Sequence, residues 1–392
     1  VALALAERGV RVTIIDRNDA LMSRTAVANE GKIHLGYMYA GDPTLLTART
    51  MLGGALAFAP FFQRTIGLAP GALRLSAPAA YVVHRDSQHD PEEVLGYANA
   101  VHRLVKEGAA SEPAAYFGID LPANLRVWSE AERDAEFDSA VAVAAVDTPE
   151  VAINPLELAS AIRAAIADNP NIEVRLRRVV HSARQHDDAV TVATTETGIA
   201  SEDKYDHVVN ALWDGRIALD ETLGIRPNRP WLHRLKYGVS LRLPSAMTAP
   251  RSATFVSGPF GEVVSYPEGL IYLTWYPECV KGMSSDVSPP AWATYPGEPL
   301  RSQIAQGTLA AMAEFVRPLR GLDVTCLSEA SVKGGVIVAW GDTDIYDPQS
   351  ELHRRYEIGV TSVGNFHSVD PGKLTMAPYF ATDCADRIKP RD

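Results

Sequence analysis

The residues best equipped for chemistry lie near the two ends of the chain. Ser23 to Pro43, SRTAVANEGKIHLGYMYAGDP, sets the small hydroxyls Ser23 and Thr25 beside Arg24, then Asn29, Glu30 and Gly31, and then His34. Small hydroxyl residues and glycines let backbone N–H groups approach an anionic group closely, and a histidine can exchange protons near neutrality. The stretch 370–375, DPGKLT, puts a lysine and a run of backbone N–H groups ahead of a helix, an arrangement suited to stabilising negative charge. Lys333 sits in an apolar, glycine-containing strand and needs a partner there.

The elements around these residues alternate between strand and helix. Val1–Ala6 is an apolar run that predicts a buried helix, Gly9 follows a polar helix end, and VRVTIID predicts a parallel strand ending at Asp16. Helix, glycine, strand and acid make half of a βαβ unit. In a dinucleotide-binding unit such an acid bonds the ribose about 20 residues after the first glycine of the phosphate loop. Counting back from Asp16 runs off the front of the chain, so the expectation is that the first strand and its glycines are missing from the sequence.

Further on, Asn154 predicts a helix cap, Pro155 the first helical position, and Asp168-Asn169-Pro170 the stop. IEVRLRRVV and AVTVATT read as strands, and YDHVVNALWDG as a short strand running into a loop that turns at Gly215. LKYGVSLRLP, ATFVSGPFGEVVSYPEG and LIYLTWYPE alternate with period two and carry hairpin signals, which predicts an antiparallel sheet.

Three stretches carry a resemblance to a known family. Ser23 to Gly36 is similar to a flavin-contacting segment of the D-amino-acid oxidase superfamily, in the branch with glycine oxidase and the L-2-hydroxyglutarate and glycerol-3-phosphate dehydrogenases. EIGVTSVGNFHSVDPGKLTMAPYF resembles that superfamily's last strand, flavin-side loop and helix. INPLELASAIRAAI and YDHVVNALWDG resemble its middle segment, with Leu212, Trp213 and Asp214 where small residues are common.

The resemblance implies an α/β fold, with a Rossmann-like parallel-sheet FAD-binding domain and an inserted antiparallel α+β substrate domain. The expected division gives residues 1–50, 140–225 and 328–392 to the first, N-terminally truncated, and 51–139 and 226–327 to the second. It implies FAD as cofactor and hydride transfer to flavin from a C–H bond bearing an amine or hydroxyl.

Carried onto this chain, it expects Asp16, Arg17, Ser23, Arg24, Thr25, Asn29, Glu30 and Gly31 at the cofactor. Val179, Val180, Ala211, Leu212, Trp213 and Gly215 would lie on its adenosine and pyrophosphate side, with Trp213 either there or in the core. Gly372, Lys373, Leu374 and Thr375 would lie beside the flavin pyrimidine. His34 is the expected proton acceptor and Lys333 the expected substrate-side cation, in place of the family's arginine before a proline. Tyr39, Lys236 and Tyr276 are further substrate candidates, while Arg354 and Arg355 are equally well explained as a charged flank.

Composition limits the rivals. A net charge of −11 with scattered lysines and arginines argues against nucleic acid or an anionic membrane as partner, and the resemblance implies a small-molecule substrate, a carboxylate or other anion. No apolar run is long enough to span a membrane. Cys279, Cys326 and Cys384 are far apart and without metal-ligand spacing, so neither a disulfide framework nor a zinc or other metal site is indicated and a cytoplasmic setting is expected. The chain lacks hydrolase, zinc-protease and Walker motifs. A non-catalytic relative that binds no FAD, and a nicotinamide-dependent dehydrogenase, remain as alternatives.

Overall fold

The structure is a computed structural model, and it describes residues 1–69, 71–112, 114–322 and 330–388. Its first elements follow the local pattern. Helix α1 (Ala2–Ala6) buries Leu3, Ala4, Leu5 and Ala6, Gly9 turns at φ +77°, and β1 (Val12–Ile15) ends at Asp16.

Helix α2 (Leu46–Ile66) ends on left-handed Gly67, and β2 (Ala80–His84) is buried along its whole length. Helix α3 (Pro91–Ala109) starts from a capping box in which the Asp90 side chain accepts from the Glu93 N–H and Glu93 returns the bond. It presents Val94, Ala98, Val101 and Val105, spaced at three or four residues, to the interior. Helix α4 (Glu130–Glu136) and β3 (Ala142–Asp147) follow.

Helix α5 (Pro155–Ala167) is capped by the Asn154 side chain, which accepts from the Leu156 N–H, and Pro155 holds the first turn. The expected strand IEVRLRRVV breaks in two. Arg177, at φ +54°, separates β4 (Ile172–Arg175) from β5 (Arg178–Gln185). Strand β4 pairs in parallel with β1, whereas β5 joins β6 (Val190–Glu196) and β7 (Ile199–Tyr205) in an antiparallel sheet. Strand β8 (Val208–Asn210) and α6 (Arg216–Glu221) come next.

The long strand β9 (Trp231–Arg242) organises the antiparallel part. Strands β10 (Ala253–Val256), β11 (Gly261–Ser265) and β12 (Leu270–Trp275) form the expected hairpins, β12 returning against β9. Tyr276 opens a short helix, α7 (Tyr276–Cys279), and the chain turns into β13 (Val280–Ser284) and α8 (Leu300–Phe315). Strand β14 (Ser331–Trp340) pairs antiparallel with β9 from Ser331·Ser240 to Trp340·Trp231. One parallel pair, β2·β10, extends this eight-stranded sheet to β3.

The last expected strand is a hairpin, β15 (Gly359–Val363) and β16 (Phe366–Asp370), because Gly364 turns at φ +55° between them. Strand β16 pairs in parallel with β8, and α9 (Ala377–Arg387) follows a turn at Gly372. Apart from β2·β10, the parallel strands come as two pairs, β1·β4 and β8·β16, with no ladder between these two among the described residues. Val12 to Asp16 on one side and Val208 to Ala211 on the other border a common cleft. One large core runs beneath it through α1, α2, α3, α5 and α9, and a second lies between α8 and the large sheet.

Candidate functional site

The cleft has a volume of about 1120 Å³. Asp16 stands at its edge past the end of β1, where its Oδ1 accepts from the Asn18 backbone and side chain at 2.8 and 2.7 Å. Arg17 and Arg24 reach Asp214 at 3.6 and 3.3 Å, a carboxylate that burial pushes above its ordinary pKa. Ser23, Thr25, Asn29 and Glu30 line the same wall.

Several expected ligands spend their polar atoms holding that wall together. Thr25 Oγ1 accepts from the Val336 N–H at 3.1 Å, tying the loop to β14. Asn29 donates to the Thr25 and Ala26 carbonyls and accepts from the Gly31 N–H at 2.8 Å. Gly31 does not line the cleft; at φ +78° it packs so closely that a Cβ would fall 1.8 Å from the Ile153 carbonyl oxygen.

On the opposite wall lie Val179, Val180, Ala211, Leu212, Trp213 and Gly215. Trp213 is a lining residue and a fastener at once, since its indole N–H donates to the Val336 carbonyl at 2.7 Å. At the far end Gly372, Lys373 and Leu374 face the space, with Lys236 and Gly335 from the sheet. Thr375 is fully buried behind them.

His34 sits where these walls meet. Its ring is buried, its Nδ1 lies 3.3 Å from Glu150 Oε1, and its Nε2 is a buried atom without a hydrogen-bond partner, 3.8 Å from Glu30 Oε1. Glu150 is inaccessible to solvent and accepts as well from the Leu35 N–H at 2.7 Å and the Tyr81 hydroxyl at 2.5 Å. Burial works against this carboxylate, but His34, Lys32 and the Tyr81 hydroxyl outweigh it and hold its pKa below normal. One ring nitrogen is therefore fixed by a carboxylate and the other left available at the cleft, which suits proton transfer.

Cations collect nearby. Lys32 is buried and bonds Thr254 and Glu262, the latter at 2.8 Å, and Lys236 stands 3.7 Å from Glu262. Burial lowers the Lys373 ammonium to about 8; Glu30 opposes that, and Arg355 and Lys236 reinforce it. Arg355, unassigned from sequence, is buried at the cleft and donates to the Leu352, Val338 and Gly372 carbonyls at 2.8–2.9 Å, whereas Arg354 is exposed. A buried guanidinium held by carbonyls alone keeps its full positive field. The cleft thus combines polar and cationic walls with one imidazole nitrogen that has no hydrogen-bond partner, a set that suits a long anionic ligand.

The other candidates lie apart. Lys333 faces a smaller neighbouring cavity instead of the cleft. Tyr39 is fully buried behind His34, its hydroxyl without a partner and its ring 6.0 Å from that of His34 and 5.9 Å from that of His353. Tyr276 lines neither space; its hydroxyl donates to Asp344, which also pairs with the buried Arg234. Glu150 escaped notice in the sequence, though a carboxylate in the apolar run before the Asn154 cap is a usable signal, because a buried carboxylate requires partners.

Comparisons with known proteins bear on the family and the fold. Residues 1–323 match the model of the family DAO, FAD dependent oxidoreductase. Glycine oxidase from Geobacillus kaustophilus superposes with a TM-score of 0.68 at 14% identity, over 100% of this chain and 92% of that one. Iminodiacetate oxidase from Chelativorans sp. BNC1 gives 0.65 at 15% identity, over 99% and 92%. L-α-glycerophosphate oxidase from Mycoplasma pneumoniae, with FAD bound, gives 0.64 at 16% identity, again over 99% and 92%. At these identities the likeness is one of fold. No curated protein sequence matches the chain. The family match spans most of the sequence and meets a cleft with the matching donor set: the chain belongs to the DAO family of FAD-dependent oxidoreductases, and its cofactor is FAD.

Proposed function

We propose that the protein oxidises a small anionic substrate at a C–H bond whose carbon also bears an amine or a hydroxyl. The observation that carries this reading is His34, with Nδ1 against Glu150 and an unpartnered Nε2 at the cleft. When bound, FAD supplies the hydride acceptor. In this reading residues 1–50, 140–225 and 328–392 hold the cofactor, and 51–139 and 226–327 cover the substrate.

Asp16, Arg17 and Arg24 would hold the adenosine and diphosphate end of the cofactor. The Lys373 ammonium, beside the Gly372 turn, would stand at the other end, where it would stabilise negative charge that develops during the reaction. His34 Nε2 takes the proton from the substrate's amine or hydroxyl. Glu150 keeps the Nδ1 proton in place and stabilises the imidazolium that results, as a buried carboxylate does for a catalytic histidine. Lys236 and Arg355 provide the positive field that draws and orients an anionic substrate.

The test has two stages. Purified 392-residue protein is mixed with excess FAD, freed of unbound cofactor, and its visible spectrum recorded before and after denaturation. Bound flavin is then challenged anaerobically with panels of amino acids and 2-hydroxy acids. Bleaching of the flavin by members of either panel is the expected result; bound flavin that no member reduces removes the substrate class. Protein that stays colourless removes the FAD reading for this chain. Buried, unbridged Cys279 and Cys384 support a reducing, cytoplasmic setting; Cys326 lies outside the described residues. Among the described residues no helix is long and apolar enough to cross a membrane.

A further inference from the structure

Three successive cross-strand pairs run along one face of the β9·β14 ladder: Lys236·Gly335, Gly238·Lys333 and Ser240·Ser331. Alternation along a strand puts all six on the same side. The first pair borders the large cleft, and the other two border a second cavity of about 620 Å³. Tyr272, on β12, lies over Gly238 and faces both spaces; a Cβ on Gly238 would fall 2.2 Å from its hydroxyl. Glu30 also faces both. The two cavities are therefore neighbours that share a wall.

Two cations border the smaller cavity: Arg242 is held by the Glu268 carbonyl and lies 3.9 Å from the Glu268 carboxylate, and Lys333 is the unbalanced one. It is half-buried in the sheet, and among the described residues no hydrogen bond or ion pair reaches its ammonium. Burial lowers its pKa, with no anion to raise it. The rest of the wall is mixed: Ser240 and Ser331 offer hydroxyls, while Val27, Tyr266 and Leu270 offer apolar surface. A cation without a counterion in such a space is costly until an anion arrives. The Glu30 carboxylate on the shared wall disfavours a highly charged guest, and the apolar surface favours a carbon body.

We infer that this cavity binds a monocarboxylate with an apolar or aromatic body, its carboxylate on Lys333 and the Ser240–Ser331 pair, and its body toward Tyr272 and Leu270. Such a ligand lies beside the FAD cleft without occupying it. The inference stands on the cavity and Lys333, and does not require the catalytic reading above.

The probe is 3-phenylpropionate, with 3-phenylpropanol as its uncharged counterpart, titrated by calorimetry into the full chain with and without FAD. Saturable binding of the acid is expected under both conditions, with the alcohol at least tenfold weaker. K333M should weaken the acid at least tenfold and leave the alcohol unchanged, while K333R should stay within a few-fold of the parent. Circular dichroism verifies folding, and K333Q serves if K333M fails to fold. Equal affinity of acid and alcohol, unchanged affinity in K333M, absence of saturable binding, or displacement of the acid by FAD would each overturn the assignment. Lys333-dependent binding in a protein that takes up no FAD would sink the oxidoreductase reading and leave this one standing.

Discussion

The backbone N–H of His34 donates to the hydroxyl of Thr375 at 2.9 Å, joining positions 341 apart in the chain. The bond locks the segment that carries the imidazole to the segment that carries Lys373, so the two ends of the sequence form one rigid corner of the cleft. Gly54 of α2 seals it from behind, since a Cβ there would lie 2.9 Å from the Thr375 carbonyl oxygen.

Replacing Thr375 by valine keeps the volume and removes the acceptor. An unsatisfied buried N–H costs about 1–3 kcal/mol. T375V is expected to lower the midpoint of urea unfolding by a matching amount and to weaken FAD binding, both measured on the same preparation. An unchanged midpoint would mean that the His34 N–H finds another acceptor.

Glu150→Gln keeps an acceptor for the Leu35 N–H and removes the charge facing His34. In FAD-loaded enzyme the maximal rate of flavin reduction should fall by about 10- to 100-fold, in the range typical of acid–base assistance, with half-saturation little changed. A purely structural Glu150 would alter stability and leave the maximal rate of flavin reduction in place.

Lys373 ties cofactor binding to pH. Its folded-state value of about 8, against 10.5 for a free lysine, means that the unfolded chain holds more protons between those limits. Stability of the FAD-free protein should therefore rise as pH increases from 8 toward 10.5, where the buried charge is lost. FAD affinity should fall over the same rise, since the anionic cofactor favours the protonated ammonium. K373M should flatten both dependences, measured by thermal melts and by FAD titration at each pH.

Lys32→Met strands Glu262, which is buried and, among the described residues, keeps only Lys236, at 3.7 Å, as an ion pair. Breaking a buried pair from one side costs about 3–5 kcal/mol. The double variant K32M/E262L should recover much of that loss in urea denaturation, and failure to recover would show that Lys32 stabilises chiefly through Thr254 and the Glu150 side of the network.

Gly31→Ala places a methyl group against the Ile153 carbonyl at a left-handed backbone position. The conformational cost alone is about 1–2 kcal/mol, before the clash. Sharply reduced soluble yield or a lowered unfolding midpoint is expected, and a variant as stable as the parent would contradict the packing of this segment.

By itself the sequence determined what short-range physics decides. The Asn154–Pro155 start of α5, the β11–β12 hairpin at Pro267–Gly269, the strand leading to Asp16 and the turn at Gly372 all follow from caps, alternation and glycine conformation. Resemblance in three short stretches was enough to point to FAD. What the tertiary structure decided were the partners of charges. Glu150 meets His34 across 116 positions. Lys333, expected on the substrate side of the flavin, is turned by strand register to a neighbouring cavity instead of the cleft. Arg355 looks like a surface flank in HRRYE, and only packing against β14 and the Gly372 turn buries it. Hydrogen-bond geometry and desolvation act between atoms brought together by the fold, so no periodicity in the chain records them.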